Sequence, residues 1–290
     1  MLAPLRPFCY NAPAMMLQFY KMTGAGNDFV MIDNRDLSLS EVLTHDYIAA
    51  LCDRRFGIGA DGLIAVEPAQ GKGDVRMRYY NSDGGEAEMC GNGARCFTAF
   101  VEFLTDGALR EMTFETMAGL VKGVVNDDDT VTIQLTTPKD LKLNVLPADD
   151  VVPAPVHFLN TGVPHAVAYL PSVDEIDIRK MGAHLRYHEA FAPAGTNANF
   201  ATVLSPQHLR LRTYERGVED ETLACGTGMT ATALLHAALT GAPSPISLDV
   251  AGGDTLSVAF TRSGDHEFSD VTLTGPALMV FRGELPLCED

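Results

Sequence analysis

Hydrophobic and polar residues alternate along most of this chain, and only a few stretches carry a helical period. Residues 75–80 (Val-Arg-Met-Arg-Tyr-Tyr) and 209–214 (Leu-Arg-Leu-Arg-Thr-Tyr) alternate as strands with one face buried. Similar runs at 16–20, 29–33, 63–67, 112–115, 120–125, 131–135, 156–160 and 201–204 predict further strands, and alternation continues to Phe281. Gly119 and the turn Asn126-Asp127-Asp128-Asp129 break the middle group into a sheet with a hairpin. Helical spacing predicts a helix over 41–56, capped by Ser40 and striped by Val42, Leu43, Tyr47, Ile48 and Leu51. It predicts others over 94–104, ended near Gly107, within 174–187, and over 229–239, closed by Gly241.

Two of these strands lead into the same motif. Glu86 to Gly93 and Glu221 to Gly228 both read Glu-x-x-x-Cys-Gly-[Asn/Thr]-Gly, directly before a predicted helix. Asn81 stands nine residues before Cys90, and Arg216 nine before Cys225. Strand, polar turn, Cys-Gly-x-Gly and helix therefore recur, 135 residues apart, which is about one domain length. The pattern predicts two similar halves, each presenting one thiol.

A thiol at a helix start meets unpaired backbone N–H groups and the positive end of the helix dipole, which favour thiolate. Glycine at the next position lets a ligand approach the backbone. Two such helix starts facing each other would bind a carboxylate, with one sulfur on either side of its α-carbon. Stereoinversion needs that arrangement, because one thiolate removes the α-proton while the opposite thiol returns one to the other face.

Composition narrows the partners. With 46% hydrophobic and 20% charged residues, 290 residues can bury two medium cores. A net charge of −17 argues against nucleic acid and anionic membrane. No apolar run reaches the roughly 18 to 20 residues that span a bilayer, and no signal peptide is evident, so a cytoplasmic location is expected. The six cysteines form no Cys-x-x-Cys pair, which favours reduced thiols over a disulfide framework or a zinc site.

Four ordered segments, 21–30 (Lys-Met-Thr-Gly-Ala-Gly-Asn-Asp-Phe-Val), 57–62 (Gly-Ile-Gly-Ala-Asp-Gly), 89–96 (Met-Cys-Gly-Asn-Gly-Ala-Arg-Cys) and 214–228 around Arg216 and Cys225, resemble the diaminopimelate epimerase family. The resemblance runs from about Met16 to the C-terminus. It implies an α+β fold of two pseudo-symmetric domains, each a curved, mostly antiparallel sheet around a central helix, with the site in the cleft between them. The expected division is 16–137 with 277–290 around Cys90, and 150–276 around Cys225, crossing over between Pro138 and Pro155. Residues 1–15, rich in proline, are expected to be a disordered extension, with Met15 or Met16 the native start.

The resemblance implies cofactor-independent conversion of LL-2,6-diaminopimelate to the meso form, in lysine and cell-wall precursor synthesis, by a homodimer. Cys90 and Cys225 are then the acid–base pair, with His165 and Glu215 in support. The substrate is bound by Asn27, Asn81, Asn197, Glu215 and Arg216, together with the helix starts Gly91, Asn92, Gly226 and Thr227. No pyridoxal phosphate lysine motif stands out, and no cofactor or metal is expected.

Several residues keep an alternative. Asn27 is also a turn-former of Asx type. Arg216 suits a carboxylate as a guanidinium fork, or pairs with Glu219 or Asp220. Asn199 replaces Asn197 if the register differs by two. Two positions depart from the family: Gly62 stands where some members carry glutamine, and Val163 where Gly-Asn-Pro-His is common, which leaves another amino-acid substrate open. Readings of a different class are a thiol redox switch and an amino-acid-binding protein. Cys52 and Cys96 read as packing residues, His184 and His188 as surface histidines rather than metal ligands, and the acidic triplet as a solvated turn.

Overall fold

The computed structural model describes residues 15–287; the proposed N-terminal extension and start lie outside them. In chain order the elements are β1 (Met15–Gly24), β2 (Asn27–Asp33), α1 (His45–Cys52), β3 (Gly62–Pro68), β4 (Val75–Asn81), β5 (Glu86–Ala87), α2 (Gly91–Leu104), β6 (Glu111–Thr116), β7 (Gly119–Val125) and β8 (Val131–Gln134). There follow β9 (Lys139–Leu146), β10 (Val156–Asn160), β11 (Pro164–Tyr169), α3 (Ile178–Arg186), β12 (Asn197–Ser205), β13 (His208–Glu215) and β14 (Asp220–Thr222). The chain ends with α4 (Gly226–Thr240), β15 (Ile246–Asp249), β16 (Thr255–Arg262), β17 (Phe268–Gly275) and β18 (Leu278–Leu287). The fold is thus α+β and dominated by strands. Its described residues divide into a unit of 15–131 and 277–287 and a unit of Thr132–Pro276. The stretch 138–155 contains β9, which is hydrogen-bonded to β10 within the second unit.

Each unit repeats one topology. In the first, the antiparallel pair β1–β2 is followed by a parallel crossover to β3 that contains α1. Then come antiparallel β3–β4 and β4–β5, a crossover through α2 to parallel β6, and the hairpin β6–β7. In the second, β10–β11, β12, β13, β14, β15 and β16 follow the same sequence of pairings, with α3 and α4 in the crossovers. The turn between β1 and β2 is Ala25-Gly26, both at positive φ (57° and 97°), which matches the right-handed twist of a two-residue hairpin.

The second helix of each unit is buried. Ala94, Cys96, Phe97, Phe100 and Val101 of α2 are at most 1% exposed, and every residue of α4 from Gly228 to Ala237 is buried. A helix apolar on all sides belongs inside a wrapping sheet. Gly241 closes α4 in the left-handed conformation, φ 74°. A further apolar cluster in the first unit joins Leu17, Ile32, Leu51 and Leu63, and one in the second joins Val156, Ile178, Leu185 and Phe200.

The first helix is shorter than its periodicity predicts. Thr44 rather than Ser40 caps α1, accepting from the Tyr47 N–H at 3.4 Å. Residues before it form turns, because the Asn34 side chain accepts from the Leu39 N–H at 3.0 Å and bonds Glu67 at 3.0 Å. At the other end the Asp53 carboxylate takes the Arg55 and Phe56 N–H groups, both at 2.7 Å, and diverts the chain from helix.

Candidate active site

In the first unit Cys90 is the N-cap of α2, with extended backbone (φ −132°, ψ 125°), and its sulfur accepts from the Gly93 N–H at 3.5 Å. An α-helix leaves the backbone N–H groups of its first turn outside its own i−4 ladder, where a cap or a ligand can take them. Gly93 packs closely on its neighbours: a Cβ there would lie 2.9 Å from Ile64 Cδ1 and 3.4 Å from the Phe29 ring.

A polar chain runs behind this turn. Asn92 donates to Asn27 Oδ1 at 2.6 Å and accepts from Arg95 at 3.0 Å. Asn27 in turn donates to Asp61 at 2.9 Å, and Arg54 binds both Asp61 (2.7 Å) and Asp28 (2.6 and 3.0 Å). Lys21, nearly buried, contacts Asp28 at 2.6 Å and the Gly59 carbonyl. Burial alone would raise the Asp28 pKa, but hydrogen bonds from Arg54 and Lys21 outweigh it and bring it down to about 2. Asn27 is therefore held on two sides. Asn81 ends β4, is exposed, and closes the turn to β5 through Asn81 N to Gly85 O (2.9 Å) and Gly84 N to Asn81 O (3.0 Å).

In the second unit Cys225 is the N-cap of α4 (φ −123°, ψ 107°), 8% exposed, with its sulfur 3.5 Å from Thr227 Oγ1. The Thr227 carbonyl accepts from Thr161 Oγ1 at 2.9 Å, tying the helix start to the end of β10. Beneath the first turn lies Asn199, since a Cβ on Gly228 would stand 2.4 Å from its Oδ1. Asn199 Nδ2 is 3.1 Å from His165 Nδ1 and 3.0 Å from the Ala166 carbonyl, and its Oδ1 accepts from Thr213 Oγ1 at 3.0 Å. His165 and Asn199 are both fully buried. Burial first, and the nearby Arg216 charge second, push the His165 pKa down to about 3, so the ring is neutral at neutral pH.

Asn197 bridges three strands, donating to the Pro164 carbonyl at 3.0 Å and accepting from the Arg216 N–H at 2.8 Å. This clasp holds the backbone of Arg216 beside β11. The Arg216 guanidinium donates to the Ala194 carbonyl at 3.1 Å. Its alternative pairing with Glu219 or Asp220 is overturned, because Glu219 pairs with Arg186 at 3.0 Å and Asp220 with Arg179 at 2.7 Å. Glu215 closes β13, and its carbonyl accepts the Glu219 N–H at 2.9 Å. Gly91 and Gly226 are the first residues of their helices. Val163 offers its carbonyl to the Thr161 N–H at 3.2 Å.

The other sequence candidates find structural roles. Burial pushes the Cys52 and Cys96 thiols up to about 12, well away from thiolate at neutral pH. His184 bonds Asp149 at 2.8 Å, and His188 accepts the Ala190 N–H at 3.2 Å. Among the described residues no group of His, Cys, Asp or Glu is placed to hold a metal, and no helix is long and apolar enough to cross a membrane. Sequence reasoning missed Asp61, Arg54, Thr213 and the bond of Asn199 to His165. The Asn-Ala-Asn spacing was the available signal, since residues two apart on β12 share a face.

The family described as diaminopimelate epimerase matches residues 19–140 and 157–280. Diaminopimelate epimerase of Flavobacterium psychrophilum is 43% identical over 91% of this chain and 98% of its own length. That of Chlorobaculum tepidum is 40% identical over 92% and 100%, and that of Aquifex aeolicus 39% over 93% and 98%. Among solved structures, a phenazine biosynthesis protein of the PhzF family from Bacillus anthracis superposes with a TM-score of 0.68 at 15% identity, covering 93% of this chain and 99% of its own. A hydroxyproline epimerase from Agrobacterium vitis gives 0.62 at 16% identity, covering 95% and 94%. At such identities these two structures share the fold alone, whereas the sequence relatives and the family match establish that this chain is an isomerase belonging to the diaminopimelate epimerase family.

Proposed function

We propose that the protein epimerises LL-2,6-diaminopimelate to meso-diaminopimelate with Cys90 and Cys225 as the two acid–base groups, without pyridoxal phosphate. The carrying observation is that each unit sets one cysteine as the N-cap of its buried second helix. The reaction needs a base and an acid on opposite faces of one carbon, and the two thiols supply them in either direction. Deprotonating an amino acid at its α-carbon builds negative charge on the carboxylate. The helix starts at Gly91, Asn92, Gly226 and Thr227 stabilise it through backbone N–H groups aimed in advance.

Arg216 takes a carboxylate as a bidentate fork, and the absence of a carboxylate partner among the described residues supports that role. The polar set for the distal, unreacting end of the substrate is drawn from Asn27, Asn81, Asn197, Glu215 and Arg216. With Asn27 and Asn197 each already bonded on two sides, their remaining polar capacity is held in fixed directions. The reaction belongs to lysine and cell-wall precursor synthesis in the cytoplasm, and we take the working form to be a homodimer.

Proton NMR of LL-diaminopimelate with the reduced protein in heavy water tests this. Solvent deuterium should enter the α-position as the meso form appears. Neither event with both thiols free would sink the reading. Binding without exchange would favour an amino-acid-binding protein, and reversible loss of two thiols as the primary change would favour a redox switch.

A further inference from the structure

The buried histidine of the second unit has a partner whose chemistry decides what that histidine can do. Asn199 lies on β12, two residues beyond Asn197 and so on the same face, and β12 runs parallel to β11 with His165 opposite Asn197. Its amide orientation is not free. The Ala166 carbonyl can only accept, so the group 3.0 Å from it must be the Asn199 NH₂. Thr213 Oγ1 at 3.0 Å then donates to Asn199 Oδ1. The second hydrogen of the same NH₂ points to His165 Nδ1 at 3.1 Å.

We infer that Asn199 is a positioning residue of the proposed epimerase reaction, locking His165 in the tautomer that carries its proton on Nε2. A ring nitrogen that accepts a hydrogen bond from an amide cannot itself be protonated in the neutral imidazole. His165 Nε2 is buried and has no protein partner among the described residues. The ring therefore carries an N–H, and no lone pair, on its Nε2 side. Asn197, opposite His165 in the β11–β12 register, accepts from the Arg216 N–H at 2.8 Å, so His165 and Arg216 share one neighbourhood. A neutral N–H donor beside a guanidinium is complementary to an anion, and the substrate of the proposed reaction carries carboxylates. His165 is thereby a donor and not a third base competing with the thiols. The lock also explains why Gly228 has no side chain, since a Cβ would displace Asn199.

The inference rests on the epimerase reading for its kinetic consequence but not for the tautomer, which is measurable on the protein without substrate. Ring-nitrogen NMR of isotopically labelled protein, assigned by the signals lost in His165→Gln, should show Nε2 protonated and Nδ1 bare. That state should persist across about pH 5 to 8, where an ordinary histidine changes charge. A proton on Nδ1, or titration in that range, overturns the lock whatever the activity proves to be.

Asn199→Asp replaces the donor with an acceptor and should move the ring proton to Nδ1. The expected cost is about 10²-fold in kcat, the scale for losing one aimed hydrogen-bond donor, with KM changed less. Full kcat with the proton moved overturns the positioning role. If Asn199→Asp does not fold, Asn199→Ser, whose hydroxyl can donate or accept, should give a mixed tautomer and a kcat lowered about tenfold in proportion. A mixed tautomer with unchanged kcat would likewise overturn it.

Discussion

The two cysteine-capped helices stand on different floors. Below the first turn of α2 are Ile64 and Phe29, a hydrocarbon surface. Below the first turn of α4 is Asn199, bonded to His165 and Thr213. The polar partners also differ: the first unit surrounds Asn92 with Asn27, Asp61 and Arg54, whereas the second holds Arg216 out of any ion pair with its acidic neighbours. One topology has been kept twice while the groups around each thiol have diverged. A repeated fold supplies two cysteine-capped helix starts, but the two ends of an α-amino acid are unlike, and the divergent side chains offer each half its own task in the proposed reaction.

Removing a thiol breaks the comparison most completely. Cys90→Ala and Cys225→Ala should each lower epimerisation by about 10⁴-fold, the upper scale for loss of an acid–base group. Deuterium exchange measured separately on LL and meso substrates checks it. A single variant with full activity would refute the two-base scheme, and unequal residual exchange would show which floor supports which direction.

Next in size is the contrast nine residues upstream. Arg216→Lys keeps the charge and loses the fork, so kcat/KM should fall by about 10- to 100-fold, the worth of one charged hydrogen bond. Asn81→Ala, at an exposed strand end whose turn is closed by backbone bonds, should cost less in kcat/KM and almost nothing in stability. Steady-state kinetics of both variants side by side would decide. Equal losses would mean that the two positions serve the substrate alike.

Most of this arrangement could be read from the chain before its structure. The alternation of 75–80 and 209–214 and the Cys-Gly-x-Gly repeat sufficed for two halves, because each is local and periodic. The start of α1 was not legible, since Asn34 reaches across the chain to Leu39 and Glu67 and forces turns where the apolar stripe predicts helix. Asn199 looked like a spare copy of Asn197 for the same kind of reason. Its meaning depends on β11, 34 residues away, lying parallel in one particular register. The Lys21–Asp28–Arg54–Asp61 chain was hidden likewise, because ion pairs over such separations leave no spacing signature.

The floors can be tested with paired glycine substitutions. A Cβ at Gly93 meets the end of the Ile64 side chain, which can turn aside. A Cβ at Gly228 meets an amide oxygen 2.4 Å away that Thr213 and the His165 bond hold in place. Gly228→Ala should therefore destabilise by about 2 to 3 kcal/mol, the cost of overpacking a fixed neighbour. Gly93→Ala should cost about 1 kcal/mol or less, because alanine's helix propensity offsets part of the strain. Urea-unfolding midpoints compare them, and a larger loss for Gly93→Ala would show that the apolar floor is the more rigid.

The last test concerns pH and isolates the buried ring. His165 has its pKa lowered from 6.5 to about 3 in the folded protein, chiefly by burial. Between those values the unfolded chain binds a proton that the folded chain does not, so stability rises with pH there. The contribution of neutral His165 is complete above about pH 6.5 and is lost as pH falls towards about 3, by at most about 1.4 kcal/mol per pH unit. Other groups, Asp28 among them, also weaken the fold in acid as their carboxylates protonate. His165→Gln leaves those groups alone and removes only the imidazole. The difference in unfolding free energy between wild type and variant should therefore shrink steadily from about pH 6 to 4. The first unit offers no counterpart under α2, where Ile64 and Phe29 cannot titrate, so Ile64→Val should shift stability by the same amount at every pH. A flat difference for His165→Gln would mean that the ring takes up its proton in the folded state, and the contrast between a polar floor and an apolar one would lose its electrostatic content.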